Sequence, residues 1–419
     1  MQYNQKYRRT RYGTMARDFE LGVDYNKLRA ERFQRAQQQV REKGLGGVLC
    51  FDSDNIRYIT SAYLPYGMRE YFNDYCFLPK EGKATLYDLA AAAKRITCPW
   101  LEGRIEAPIT LYRGALPPTT GLQNDFAKQI KKDLVAAGVD NLPLGVDFAE
   151  ITMIRALEKE GIEVVDGQQA LSDARSIKTD EEIQLLMLSS VIAEAVLEDV
   201  ARAIRPGLRE NEIIGLASKR MYDLGADTMI LAQTVTGPRG IPHAHCSTDR
   251  IIQTGDLVYC DPVVSFNGYR TCYYRCFCCG KPNKYQEEAY EKASGWLGAA
   301  LDTIRPGVTT ADVAKAFPKA EDFGYKNEAE AFLQQYGHGI GLTNWEKPII
   351  SRRFSFDHPQ EIKKNMVFAV ETWCKAEDGS GAARIEEVVV VTDDGCELIT
   401  TYPSDHLISC GVPGSEVYV

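Results

Sequence analysis

Apolar residues recur at intervals of three and four from Asn26 to Lys43, which predicts an amphipathic helix. The uninterrupted apolar run GGVLCF (Gly46–Phe51) follows and predicts a buried strand, with DSDNIRYIT after it. Helical and strand patterns then alternate through ATLYDLAAAAKRI, IKKDLVAAGV, LPLGVDF and IRALEKEGIEVVDG, the signature of an α/β unit. With the polar lead of residues 1 to about 30, this sets a first domain at residues 1–173 and a second at 174–419. The second opens on a capping box, Thr179 as N-cap and Glu182 reaching back, before a long helix that runs to Arg205 and stops at Pro206 and Gly207.

An internal repeat organises the second domain. AIRPGLRENEI (Ala203–Ile213) recurs as TIRPGVTTADV (Thr303–Val313) 100 residues later, again at the end of a long helix. Each copy precedes a further helical stretch and then a short apolar strand ending in an acid, DLVYCD at Asp261 and NMVFAVE at Glu371. Two similar α/β halves facing each other would bring these acids to one site.

Composition narrows the class. At 419 residues with 44% apolar content, the chain has room for two or three domains of about 100 to 200 residues. A net charge of -9 and a pI near 5.3 oppose nucleic-acid binding, which needs a basic surface to displace counterions. The cluster Lys6, Arg8, Arg9 and Arg11 reads as a solvated tail. With no apolar run of about 18 residues and no apolar core in MQYNQKYRRTRYG, neither a membrane span nor an export signal is expected, and a cytoplasmic protein is. The twelve cysteines are then expected to be reduced thiols. Cys276 and Cys279 form a lone C-x-x-C inside GYRTCYYRCFCCG, whose aromatic and apolar character predicts a strand with those thiols on opposite faces rather than a structural zinc site.

Candidate chemistry concentrates in few residues. Of five histidines, His243 and His245 stand two apart in GIPHAHCST, so an extended backbone projects both to one face. His338 lies between glycines in YGHGIGL. Asp261, Glu371 and Glu386 each border a strand rich in β-branched residues, where an unpaired anion is expensive. Three answers stay open: pairing with Arg270, Arg275 or Arg384, a divalent metal, or a cationic substrate group.

The order GPR, PHAH, GDLVYCD, GYRTCYYR, GHGIGL, MVFAVE and RIEEVVVVTDDG resembles the pita-bread family of aminopeptidases, prolidases, creatinases and dimethylsulfoniopropionate lyases over roughly residues 176–405. The preceding domain is similar to the creatinase-type amino-terminal α/β domain. This resemblance implies an α/β (α+β) chain with a pseudo-two-fold catalytic domain. It also implies a metal-ligand set of Asp261, His338, Glu371 and Glu386, with Cys272 where the family carries a second, bridging aspartate. The peptidases have a further histidine seven residues after the one in GHG, and Trp345 stands there. By analogy with creatinases, which work without metal, His245 is the general base and acid. The implied catalytic residues are His245, His338, Glu371 and Glu386; the implied substrate-binding residues are Asp261, His243, Tyr336, Asn344 and Trp345. The metal alternatives are one divalent ion (iron, zinc or manganese) on Asp261, Cys272, His338, Glu371 and Glu386, or none.

Three functions follow as expectations. The leading one is a hydrolase or lyase of a small cationic or zwitterionic metabolite, cleaving a carbon–nitrogen or carbon–sulfur bond. The others are an Xaa-Pro aminopeptidase or prolidase with an altered metal site, and a non-catalytic binding protein on the same scaffold. The resemblance also implies a homodimer, with substrate choice set by residues 60–75, Asn344, Trp345 and Arg352.

Overall fold

Asp24 opens the first helix by accepting the N–H groups of Asn26 and Lys27 at 2.9 and 3.0 Å, satisfying donors a helix start would leave unpaired. Helix α1 (Tyr25–Glu42) turns Leu28, Ala36 and Val40 inward. In this computed structural model residues 22–64, 73–242, 244–331 and 336–417 are described, so the basic cluster at Lys6–Arg11, His243 and part of the 60–75 loop lie outside them. The chain divides into a unit of residues 24–175 and one made chiefly of residues 176–419.

The first unit is built on a mixed sheet. Strand β1 (Gly47–Cys50) pairs antiparallel with β2 (Tyr75–Pro79) and parallel with β5 (Leu144–Val146). The order is completed by β3 (Thr85–Tyr87) and β4 (Ile105–Glu106) on one side and β6 (Val164–Asp166) on the other, giving β4-β3-β2-β1-β5-β6. Every residue of β1 is buried, as its unbroken apolar run predicts. Leu49, Phe77 and Leu144 pack with Phe126, Ile130 and Leu134 of helix α2 (Leu122–Ala136) and Leu157 of helix α3 (Ile151–Lys159).

The second unit opens at the predicted capping box. Glu182 accepts the Thr179 N–H at 2.8 Å and the Thr179 hydroxyl accepts the Glu182 N–H at 3.2 Å, starting helix α4 (Asp180–Ala203). The sequence repeat is a repeat of backbone. Gly207 and Gly307 both adopt positive φ, 91° and 86°, where glycine carries no steric penalty. The Gly207 N–H donates to Ile252 O at 2.9 Å and the Gly307 N–H to Ile362 O at 3.0 Å; the Ile252 and Ile362 N–H groups return to Leu208 O and Val308 O, both at 2.8 Å. Helices α5 (Glu210–Asp223) and α7 (Thr310–Ala314) start just beyond, α7 being preceded by helix α6 (Lys284–Thr303). From each anchoring isoleucine the chain enters a long strand and reaches its acid nine residues on, Asp261 from Ile252 and Glu371 from Ile362.

Two five-stranded sheets result. One is ordered β16-β10-β8-β7, from β7 (Thr228–Thr236), β8 (Leu257–Phe266), β10 (Arg275–Cys279) and β16 (Ile408–Cys410), with β9 (Tyr269–Arg270) paired to β8. The other is β12-β11-β13-β14-β15, from β11 (Gly337–Gly339), β12 (Glu346–Ile350), β13 (Val367–Lys375), β14 (Ala382–Val391) and β15 (Cys396–Leu398). Ala289, Ala293, Leu297, Ala300 and Leu301 of α6, at helical spacing, pack with Phe368, Val370, Ile385 and Val389 of the second sheet. No helix among the described residues is long and apolar enough to cross a membrane.

One strand prediction needs correction. GYRTCYYRCFCCG is two strands, β9 and β10, interrupted over Thr271–Tyr274. Thr271 still donates to Val264 O at 3.0 Å; beyond it the ladder lapses where β8 carries Pro262, which has no N–H to give, and where the Tyr274 N–H turns to Glu386 at 3.2 Å. The register is the same on both sides of the interruption, Ser265 facing Arg270 and Cys260 facing Arg275.

Candidate active site

Asp261 projects from the middle of β8, on the same face as Tyr259 and opposite Gln233 of β7. It is buried, its Oδ1 has no hydrogen-bond partner, and its pKa is pushed up to about 7, first by desolvation and then by the charge of Glu371. Neither Arg275 nor Arg384 relieves it. Arg275 pairs with Glu387 at 2.8 Å, and Arg384 donates to the Gly240 and Pro242 carbonyls at 3.0 and 2.5 Å, with its guanidinium carbon about 5 Å from the rings of Tyr259 and Trp373.

Glu371 and Glu386 are direct cross-strand partners on β13 and β14. The Tyr274 hydroxyl donates to Glu371 Oε2 at 3.0 Å and the Tyr274 N–H to Glu386 Oε2 at 3.2 Å, so one residue in the strand break serves both acids. Glu386 is fully buried with Oε1 unpartnered. Burial first, and then the charges of Glu371 and Asp261, hold its pKa well above the carboxylate range. Arg275 fixes this corner: it donates to Tyr274 O at 3.1 Å, Glu386 O at 2.6 Å, and the Tyr402 and Pro403 carbonyls at 2.8 and 3.1 Å.

His338 sits on β11 between β12 and β13, fully buried. Its glycine neighbours are required by space, since a Cβ on Gly339 would lie 2.3 Å from Lys347 O and one on Gly337 2.9 Å from Ala369 O. The Nδ1 lies 3.0 Å from Gly339 O, which fixes the proton there and leaves Nε2 as an acceptor with no partner. Burial lowers its pKa to about 4, so the ring is neutral at pH 7.

Cys272 is buried in the strand break, and its Sγ accepts a hydrogen bond from Asn344 Nδ2 at 3.8 Å. Its sulfur, a ring nitrogen of His338 and a carboxylate oxygen of Glu386 lie within 4.8 Å of one another. Two of these three donors present lone pairs that nothing else uses, and an acid, an imidazole and a thiol together suit a divalent ion. The donor set therefore fits the divalent metal expected from the sequence. Asp261 and Glu371 fall outside this mutually close set while coupling electrostatically to Cys272.

The remaining predicted residues divide. Trp345, 62% exposed, places its ring edge-on to His338 with centroids 6.3 Å apart. Tyr336 is a packing residue: its ring stacks on Phe317 at 4.3 Å and its hydroxyl donates to Pro318 O at 3.1 Å, which commits it away from the acids. His245 is exposed, with its pKa lowered by partial burial and then by Arg384. Its loop is anchored at the neighbouring Ala244 carbonyl, which accepts from Gln233 Nε2 and the Tyr259 hydroxyl, both at 2.6 Å. Farther along, buried Glu210 accepts the Thr248 N–H and hydroxyl at 2.8 and 2.9 Å and pairs with Arg239. Arg275, one of the cations considered for the acids, pairs instead with Glu387; Tyr274 was not singled out in the sequence, although it stands two residues from Cys272, a spacing that could have marked it.

Residues 184–393 match the model of metallopeptidase family M24. Among curated relatives, a putative dipeptidase of Bacillus subtilis is 26% identical over 90% of this chain and 99% of its own length. A dimethylsulfoniopropionate lyase of Roseovarius nubinhibens is 25% identical over 91% and 87%, and an Xaa-Pro dipeptidase of Pyrococcus furiosus 30% identical over 71% and 82%. The solved Xaa-Pro dipeptidase of Bacillus anthracis superposes with a TM-score of 0.72 at 25% identity, covering 91% of this chain and 99% of that one.

Proposed function

Because the chain belongs to metallopeptidase family M24 and has its pita-bread fold, it is an enzyme of that family, and we propose that it cleaves a small zwitterionic or cationic metabolite, by hydrolysis or elimination, rather than an Xaa-Pro bond. The observation that carries this reading is the residue completing the close donor set. Cys272 joins His338 and Glu386 where the family resemblance calls for a second aspartate, which leaves Asp261 and Glu371 outside.

Asp261 and Glu371 are the acids that take the cationic end of the substrate. Asp261 has an unused oxygen facing this purpose, and a cation would replace the solvation that burial removed. Tyr274 orients Glu371 through its hydroxyl. His245, neutral at pH 7 because its pKa is lowered, accepts a proton from substrate or water at an imidazole nitrogen and returns it to the leaving group. His338 cannot readily share that work, since burial opposes its imidazolium, and it contributes the Nε2 lone pair. A divalent ion bound by Cys272, His338 and Glu386 would supply Lewis acidity at the bond being cleaved. Trp345 forms an aromatic wall beside His338, suited to an onium group.

A second reading, an Xaa-Pro dipeptidase with an altered centre, is favoured by the names of two relatives and by retention of Asp261, His338, Glu371 and Glu386. One assay separates the two: purified enzyme, with and without added Mn²⁺, Zn²⁺ or Fe²⁺, is given Xaa-Pro dipeptides and, separately, creatine, betaines and sulfonium zwitterions, with products followed by NMR. Turnover confined to the small zwitterions is expected. Robust Xaa-Pro hydrolysis would overturn the leading reading.

A further inference from the structure

The geometry points to Cys272 as the residue that limits this centre to a single ion and gives that ion a thiolate ligand. The inference rests on the reading of the site as a metal centre and goes beyond it, assigning ion number and ion class to one side chain.

The argument begins with what each donor can reach. Cys272 Sγ, a His338 ring nitrogen and a Glu386 oxygen are mutually within 4.8 Å, and all three residues are buried. One ion placed among them can engage all three. A carboxylate can hold two cations on two separate oxygens, whereas Cys272 has a single sulfur that would have to sit on both, and among the described residues only His338 and Glu386 share its close set. With Cys272 in place of a bridging acid the second oxygen is gone, and the remaining close donors suffice for one ion. The sulfur is also held by Asn344, whose Nδ2 donates to it at 3.8 Å.

The acids left over agree. Asp261 does not belong to the mutually close set, and its Oδ1 is buried without a partner. Glu371 is engaged by the Tyr274 hydroxyl. With one ion rather than two, these carboxylates are not needed as its ligands and can give the cationic group its counter-charge.

Ligand softness then sets ion class. Thiolate with imidazole favours Zn²⁺, Co²⁺ or Fe²⁺ over Mn²⁺ or Mg²⁺, which prefer oxygen ligands. An oxygen-rich dinuclear centre would not discriminate in this way.

The test uses Co²⁺ alone as the probe, on full-length protein stripped with chelator and dialysed. We expect one Co²⁺ per chain and a near-ultraviolet sulfur-to-cobalt charge-transfer band. Cys272→Ser should abolish the band and weaken Co²⁺ binding roughly 10–100-fold or more, while circular dichroism and melting temperature establish that the variant is folded. Cys272→Asp should lose the band and take up a second Co²⁺. Bound Co²⁺ without the band, a band that persists in Cys272→Ser, two ions in the wild type, or one ion in Cys272→Asp would each overturn the inference while leaving the proposed substrate class intact. No Co²⁺ binding by the wild type would also overturn it, and the zwitterion assay would then report separately on function.

Discussion

Glu371 and Glu386 stand directly opposite each other on adjacent antiparallel strands, with the Tyr274 hydroxyl on the first and the Tyr274 N–H on the second. Like charges in this register destabilise a sheet, so the ladder tolerates the pair only with protons or a cation between them. Removing one charge from the metal-free protein should therefore stabilise it. Glu386→Gln is expected to raise the melting temperature of chelator-treated protein while abolishing turnover. A melting temperature lowered by several degrees would show that the acid, not its neutralisation, supports the fold.

Burial raises Asp261 from 3.8 to about 7. Between those values the folded state binds a proton that the unfolded state has lost, so stability falls as pH rises, by about 4 kcal/mol in total for a shift of this size. Denaturant titrations of metal-free protein at pH 5, 6, 7 and 8 should show this decline, and Asp261→Asn should flatten it. Parallel slopes for the two proteins would contradict the assignment.

Arg275 and Glu387 are both buried and paired at 2.8 Å. Arg275→Met leaves Glu387 without its cation and should cost about 3–5 kcal/mol. Thr400 and Ser404 also donate to Glu387, and they soften the loss without replacing the charge. The double variant Arg275→Met, Glu387→Gln should recover part of the deficit in urea denaturation; simple additivity would mean that the two do not act as a pair.

Tyr274→Phe removes one hydroxyl and keeps the backbone donor. A hydrogen bond to a carboxylate contributes about 1.5–3 kcal/mol to stability, so the variant should lose about that much in urea denaturation, and kcat/KM should fall because Glu371 is no longer oriented. Equal activity in the variant would remove Tyr274 from the machinery.

His245 is exposed, so truncating it should leave the fold intact. His245→Ala is expected to lower kcat by roughly 10²–10⁴, the range for a general base. A folded, fully active variant would transfer the proton-moving role to another group.

Much of this architecture was legible in the chain because its signals are local. The Thr179–Glu182 capping box needs only four residues, and the Pro-Gly pairs at 206–207 and 306–307 mark equivalent turns wherever the halves lie. Asp261 and Glu371 could be placed as counterparts on that basis alone. What stayed hidden depends on contacts distant in sequence. The interruption at Thr271–Tyr274 depends on Pro262 and Glu386, so aromatic and apolar residues that read as one strand became two. Tyr336 lies two residues from His338, yet stacking on Phe317 decides its role. Arg275 could be read as a possible counter-ion for the three acids, but its carboxylate partner is Glu387, more than a hundred residues ahead.

The loop bearing His245 is held at Ala244 by two donors on its carbonyl oxygen. Such a tether recognises peptide and ignores side chains. The amino acid at position 244 can therefore drift, and the imidazole beside it can be exchanged, without the loop losing its mooring. A lineage could explore new proton-transfer chemistry at position 245 on an unchanged frame, and a designer could graft an alternative base there with the scaffold left untouched.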